Sequence, residues 1–333
     1  MLDFNQIIGH EKIKQHLKKA VAMNKVSHAY IFSGEDGTGK NMLAEAFSLL
    51  LQCEGRLESN SKGEPCHTCK SCLQAKSNNH PDIIRITHEK ASIGVDDIRI
   101  QMNNDIQIKP YSSPYKIYII DEAEKLTEQA QNALLKTIEE PPSYGIILLL
   151  TNNLNILLPT ILSRCVTLKL QPVDKDLIKE YLMINHKIPD YLAELSQIFS
   201  GGNVGKAINY ASSEEFSIMK EQALHILKYI DEMKIYEIME EIKKLSEHKE
   251  QITEYLDFFI LWYRDVLLYK ATKEVNLLTY KSELQEIMKQ SNKKSYEAIQ
   301  NILNAIDKAK LRLKANVNSD IALELMLLTI QED

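Results

Sequence analysis

The segment running from Ala29-Tyr-Ile-Phe-Ser33 into Gly34-Glu-Asp-Gly37-Thr38-Gly39-Lys40-Asn41 constrains this chain more than any other. A short apolar run of strand character breaks into a glycine-rich turn, and an apolar-periodic helix pattern starts at Asn41 and reaches Leu51. Glycines let backbone N–H groups wrap a phosphate, the helix N-terminus adds positive potential, and Lys40 is long enough to reach phosphate oxygens. A glycine-rich turn that merely ends in lysine is the bland alternative, and the strand before it and the helix after it argue against that. One position departs from the pattern. Where the motif has a Ser or Thr hydroxyl for Mg²⁺ after the lysine, this chain has Asn41. Phosphate binding therefore stands as an expectation, and the placing of a magnesium ion does not.

Further strands are expected at Ile83–Ile86, Lys116–Ile120, Ile146–Leu150 and Cys165–Leu170. They are apolar throughout rather than alternating, as strands buried on both faces of a parallel sheet are. Alternation of strands with helical segments gives an α/β core. The strand at Lys116–Ile120 delivers Asp121, Glu122 and Glu124 at its C-terminal end, where Asp121 suits a metal's water shell and Glu122 suits polarising a water. A solvated acidic turn after a core strand is the alternative. Strand patterns vanish after Pro172. Helices are expected over Asp174–His186, Asp190–Phe199 and Lys206–Ser212, with Gly201-Gly-Asn-Val-Gly205 between the last two. The remainder reads as helices jointed near Asn276, Ser291–Lys294 and Asn316–Ser319. The expected domains are thus an α/β unit over 1–170, a helical lid over 171–212 and an all-helical region over 213–333.

A net charge of -6, from 40 basic and 46 acidic residues, argues against a chain whose main work is coating nucleic acid. The apolar run Gly145–Leu150 is far too short to span a membrane. Met1-Leu2-Asp3-Phe4 shows no basic stretch followed by an apolar one, so the expected compartment is the cytoplasm.

Of five cysteines, Cys53, Cys66, Cys69 and Cys72 form the spacing C-x12-C-x2-C-x2-C, and Cys165 stands apart. In a cytoplasmic chain this reads as metal binding rather than a disulfide framework. Four thiolates match tetrahedral zinc. An iron–sulfur cluster is the competing reading, but no Cys-Pro completes that pattern and the fourth thiol lies upstream. His67 and His80 are near enough to consider, and four cysteines leave them no coordination vacancy. A closed shell of protein ligands means a structural role.

Taken together, Gly34–Asn41, Asp121–Glu124, Asn132-Ala-Leu-Leu-Lys-Thr-Ile-Glu-Glu-Pro-Pro142 and Thr160-Ile-Leu-Ser163-Arg164-Cys165 resemble the bacterial clamp-loader AAA+ subunits. Ile8-Gly9-His10-Glu11 looks like that family's adenine-side segment. The resemblance implies an AAA+ P-loop parallel-sheet domain, a helical lid and an all-α C-terminal collar that joins subunits into a ring. It also implies a zinc-bearing insertion over 53–72. Within the family, His80-Pro-Asp82 with Ile98-Arg99, and Leu313–Asn318 with Ala322–Met326, resemble the delta-prime branch rather than the motor (gamma/tau) branch. So does the lack of a longer basic-aromatic lead before Ile8. The motor branch carries a lid arginine at the position aligned with Gly205, beside Lys206.

Several expectations follow from that resemblance. Gly34, Gly37, Thr38, Gly39, Lys40, Asn41 and Asp121 would line a nucleotide site for ATP and Mg²⁺, weakened by Asn41, with Glu122 the candidate water-polarising base. Arg164 would be offered across a subunit boundary to a neighbour's ATP, a task suited to a fixed planar charge. A local pairing of Arg164 with a carboxylate at a helix end is the alternative. The partners implied are gamma/tau and delta subunits, a sliding clamp and primer–template DNA, in a subunit of the DNA-directed DNA polymerase III holoenzyme with little ATPase of its own. The rival readings are an active motor-type ATPase and a zinc-dependent nucleic-acid-binding module. In the C-terminal region, Leu323, Leu325, Leu327 and Leu328 cannot all hide on one helix face, so an intermolecular contact is expected there.

Overall fold

The computed structural model describes residues 3–55, 63–247 and 251–332, so residues 56–62 of the cysteine-bearing insertion lie outside the described part. The chain forms two compact units, Met1–Tyr181 with Gly201–Lys206, and Leu182–Ser200 with Ala207–Asp333.

In the first unit, α1 (Glu11–Ala22) precedes β1 (Ala29–Ser33), α2 (Lys40–Gln52), α3 (Lys70–Lys76) and β2 (Ile83–Arg85). A short α4 (Val95–Ile98) runs into a π-helical segment, Arg99–Asn103. Then come β3 (Lys116–Ile120), α5 (Glu128–Glu139), β4 (Gly145–Thr151), α6 (Pro159–Leu162), β5 (Val166–Lys169) and the start of α7 (Lys175–Asn185). The five strands make one sheet in the order β2-β3-β4-β1-β5, and every pairing is parallel. This is the α/β sheet expected, with strand ends within about one or two residues of the apolar runs.

Burial follows sheet position. Every residue of β1, β3 and β4 is buried, whereas β2 and β5 at the edges are only partly covered. Side chains alternate between two cores. Tyr30, Phe32, Ile117, Ile119, Leu148 and Leu150 pack on α1 and α2, while Ile31, Tyr118, Ile120, Ile147 and Leu149 pack on α5 and the α4 region. Lys116 is 1% exposed, and its ammonium is satisfied by the Asp105 carboxylate at 2.8 Å and the Asp105 and Ile108 carbonyls. A buried charge persists only with such pairing.

The second unit is helical: the end of α7, α8 (Asp190–Ser200), most of α9 (Val204–Ser212), α10 (Glu214–Tyr229), α11 (Ile235–Glu247), α12 (Ile252–Thr272), α13 (Leu284–Lys293), α14 (Tyr296–Lys314) and α15 (Ser319–Glu332). α12 is the axis of its core, burying Phe258, Phe259, Trp262, Tyr263 and Val266 against neighbouring helices. Asp265 is fully buried on α12, where it accepts the Thr279 and Tyr280 N–H groups at 2.6 and 2.8 Å and pairs with Arg264. On α15, Leu323 and Leu327 are buried while Leu325 is 47% exposed. No helix among the described residues is long and apolar enough to cross a membrane.

Candidate functional site

The turn between β1 and α2 lies at the C-terminal edge of the sheet, between the two central strands β1 and β4 and the start of α2. That crevice is where open α/β sheets bind ligands. Gly34 N–H donates to the Thr151 carbonyl at 3.1 Å, which ties the loop to the end of β4. Gly37 and Gly39 have φ values of 84° and 96°, a left-handed backbone that glycine reaches without strain. Thr38 closes the turn, its hydroxyl donating to the Glu35 carbonyl at 2.7 Å. Lys40, the first residue of α2, folds back over the loop and is 7% exposed. Its ammonium donates to the carbonyls of Gly34 (2.6 Å) and Glu35 (3.0 Å) and to Asp36 Oδ1 (3.1 Å).

Two other segments hold this loop. His10 Nε2 lies 3.0 Å from the Thr38 carbonyl, so the segment Ile8–Glu11 is fastened to the glycine turn. Because that nitrogen faces a carbonyl it is the protonated one. Burial is the main cause that holds the His10 pKa below its ordinary 6.5. The second segment is Asn203–Lys206. Asn203 Nδ2 donates to the Asp36 carbonyl at 2.7 Å and Gly205 N–H donates to the Gly37 carbonyl at 2.9 Å. Lys206 pairs with Glu35 at 2.9 Å, holding that carboxyl below its ordinary range. The backbones of residues 37 and 205 approach so closely that a Cβ on Gly205 would lie 2.7 Å from Gly37 Cα and 2.9 Å from its carbonyl oxygen. Asn203 was missed in the sequence, although its place between Gly202 and a new helix marks it as a cap residue.

At the end of β3, Asp121 and Glu122 take different partners. Asp121 Oδ2 accepts from Asn41 Nδ2 at 2.8 Å, and its Oδ1 accepts the Glu122 N–H at 2.9 Å. Glu122 has φ 49° and turns away to Lys125 (2.7 Å), with His88 at 3.7 Å. The amide of Asn41 is bonded on both sides, since its Oδ1 accepts from Arg85 Nη1 at 3.0 Å. Arg85, from β2, also pairs with Glu45 of α2. Arg85 was another omission, and its signal was a lone charge ending the apolar run at Ile83-Ile84.

The residues here fit a magnesium ion poorly. Mg²⁺ demands oxygen donors in near-octahedral geometry, and Asn41 turns its N–H, not its oxygen, towards Asp121. The orientation of the amide is settled by its partners, because a carboxylate only accepts and a guanidinium only donates.

Arg164 follows α6 and is 41% exposed. It pairs with Glu139, the last residue of α5, at 3.0 Å and donates to the Thr160 carbonyl at 3.1 Å. The local pairing with a carboxylate at a helix end is therefore present in the isolated chain. At this exposure such a pair contributes at most about 1 kcal/mol, too little to hold the guanidinium against a competing anion.

The four cysteines come together. Cys53 caps the end of α2, Cys69 caps the start of α3, and Cys66 and Cys72 complete the set. Their sulfurs all lie within 4.8 Å of one another. Backbone N–H groups of Cys66, Cys69 and Cys72 point at the sulfurs of Cys53, Cys66 and Cys69, at 3.2, 3.3 and 3.5 Å. Such donors stabilise thiolates, so the donor set fits a tetrahedral metal ion. His67 and His80 stay outside the cluster. His67 pairs with Asp3 at 3.4 Å. His80 accepts the Asp82 N–H on Nδ1 (3.1 Å) and places Nε2 3.2 Å from the Ser113 hydroxyl. Asp82, fully buried, accepts the N–H groups of Tyr111 and Ser112 at 2.7 and 3.1 Å. His80-Pro-Asp82 thus clamps the turn before β3. Cys165 takes no part in the cluster, and burial pushes its thiol pKa up to about 12.

A family model described as "DNA polymerase III, delta subunit" matches residues 9–174. DNA polymerase III subunit delta' of Bacillus subtilis (strain 168) is 30% identical over 324 residues, covering 96% of this chain and 96% of its own. Subunit tau of the same organism is 29% identical over 354 residues, covering 98% of this chain but 61% of the longer tau. Among solved structures, a gamma subunit-related protein of Thermotoga maritima is 21% identical, covers 96% of this chain and 98% of its own, and has a TM-score of 0.44. From the full-length likeness to delta', the chain belongs to the DNA polymerase III delta-prime family of clamp-loader subunits.

Proposed function

We propose that this chain is a stationary subunit of the clamp loader, one that helps open a sliding clamp and place it on primed DNA while its own ATP site stays silent. The observation that carries the silence is Asn41, bonded to Asp121 where a P-loop enzyme has a metal-binding hydroxyl. Gly205 adds to it, since no cationic side chain reaches from that position towards a transferring phosphate. Lys40 and the glycines of the loop would still hold phosphate, and Glu122 stays idle, tied to Lys125.

In this reading Arg164 is lent to the ATP of an adjacent gamma/tau subunit, and delta completes the ring. Residues 171–212 act as a lid and 213–333 as the collar, on which Leu325 of α15 is exposed. Cys53, Cys66, Cys69 and Cys72 hold a structural Zn²⁺, and the cytoplasm is the compartment. Contacts with the clamp and with primer–template DNA are made as part of the complex.

The test is reconstitution with gamma/tau and delta. The purified chain alone should show negligible ATP turnover, and Asn41→Thr alone should not restore it. The complex should load clamps only when this chain is present. Robust hydrolysis by the isolated chain, abolished by Lys40→Ala, would make it a motor subunit instead.

A further inference from the structure

In P-loop enzymes the magnesium ion sits between the hydroxyl that follows the lysine and the acid that ends the neighbouring strand. In this chain the same gap, between the start of α2 and the end of β3, is spanned by side chains. Asn41 Nδ2 bonds Asp121 Oδ2 (2.8 Å), Arg85 Nη1 bonds Asn41 Oδ1 (3.0 Å), and the other Arg85 nitrogen pairs with Glu45. The arrangement joins two carboxylates, an amide and a guanidinium from β2, α2 and the end of β3.

We propose that Arg85, acting through Asn41, takes the place of the divalent cation in this loop, so that whatever phosphate ligand the loop accepts is held independently of Mg²⁺. This rests on reading the loop as the family's nucleotide site, and not on any role in the assembled complex. Three features carry it. First, both polar ends of the Asn41 amide are consumed, so a metal must break a bond to Asp121 before finding a ligand there. Second, the group presented to the gap is an N–H, which repels a cation. Third, a dication entering the gap would lie beside a guanidinium that is always charged. Arg85 in turn already offsets the negative charge of Glu45, so the cluster is not an acidic site lacking its ion. Arg85 is a positioning residue here: it orients the Asn41 amide and supplies charge without touching the ligand itself.

The experiment measures the thermal unfolding midpoint of the isolated, zinc-replete chain with and without saturating ATP, each in excess Mg²⁺ and in Mg²⁺-free buffer of matched ionic strength. The quantity read is the increment in midpoint that Mg²⁺ adds to the effect of ATP. In the wild type it should be zero within about 1 °C. In Asn41→Thr/Arg85→Ala it should be at least about 2 °C, because a hydroxyl and a free carboxylate can then hold the ion. A wild-type increment as large as that of the double variant would overturn the proposal, as would a double variant with none. Should the double variant fail to fold, Arg85→Gln removes the charge and, because a Gln amide accepts as well as donates, lets the Asn41 amide turn its oxygen towards the gap. Water-proton relaxation with Mn²⁺ and ATP should then report bound metal in Arg85→Gln and not in the wild type, and equal binding by both would equally overturn it. Assembly with gamma/tau and delta is scored separately, so failure of the complex and failure of this site give different results.

Discussion

Arg164 shows how little separates a structural from a functional arginine. Its bond to Glu139 is exposed and weak, so under the proposed function a neighbouring subunit's phosphate would compete for the same side chain. Arginine fingers contribute roughly three to five orders of magnitude in rate where they serve the only active site. In a complex with several motor sites, Arg164→Ala should leave assembly intact and remove only one site's share of clamp- and DNA-stimulated hydrolysis. Arg164→Lys should rescue poorly, because a point charge cannot reproduce a planar two-pronged contact. Unchanged ATPase and loading rates in the reconstituted Arg164→Ala complex would leave the residue with its pairing to Glu139 and nothing more. Two histidines make a second prediction at this scale. Burial is the leading cause that lowers the pKa of both His10 and His80 in the folded chain. The unfolded state then binds more protons below the ordinary value of 6.5, so stability should fall as pH drops through that value and level off below the folded pKa values. A metal ion held by the four cysteines would also be released at acid pH and so lower stability there. The comparison that isolates the histidines is therefore the melting point of His10→Asn/His80→Asn against wild type from pH 7.5 to 5.5. The double variant should have the flatter profile.

At the scale of elements, the cysteine knuckle joins the end of α2 to the start of α3 and reaches the sheet through polar contacts. Ser71 of α3 meets the Ser113 hydroxyl at 3.1 Å, and Ser113 meets His80. Cys69→Ser should lose metal and lower the melting point by about 5–10 °C, since structural zinc contributes folding free energy directly. Metal analysis should give one zinc per chain and no iron. A brown, iron-containing protein would reverse the assignment, and a metal-free one of full stability would show that the four thiols suffice without an ion. The knuckle was legible in the sequence because thiol spacing is a local property. β1, β3 and β4 were legible for a similar reason, since strands covered on both faces are continuously apolar. The bonds that Arg85 and Asn203 make were not, because the partners lie 44 and 167 residues away. No local pattern encodes a bond whose other half is set by tertiary packing. The π-helical turn at Arg99–Asn103 escaped notice likewise, as periodicity does not distinguish it from an α-helix.

At the scale of the whole molecule, the chain has an apolar surface on its last helices that its own core leaves open. Leu311, Ile321 and Leu325 are 66%, 52% and 47% exposed. If this region is the collar, Ile321→Asp/Leu325→Asp should leave the melting point of the isolated chain within about 2 °C of wild type, as surface changes usually do. The same pair should weaken co-purification with gamma/tau and delta by about tenfold or more, given the cost of seating charge in an apolar interface. Retention of full assembly would move the contact elsewhere. The order in which the backbone visits the two units has a practical meaning of its own. It leaves the first unit after Tyr181, returns for Gly201–Lys206 and leaves again, so three peptide crossings join the units where one would have served. A chain cut at residue 181 would therefore lack the very residues that bond the Asp36 and Gly37 carbonyls. The amino-terminal half should therefore not behave as a detachable module. Anyone seeking to express it alone should find the phosphate loop more open to proteolysis than in the intact chain, and should recover protection only when a segment equivalent to Gly201–Lys206 is grafted back.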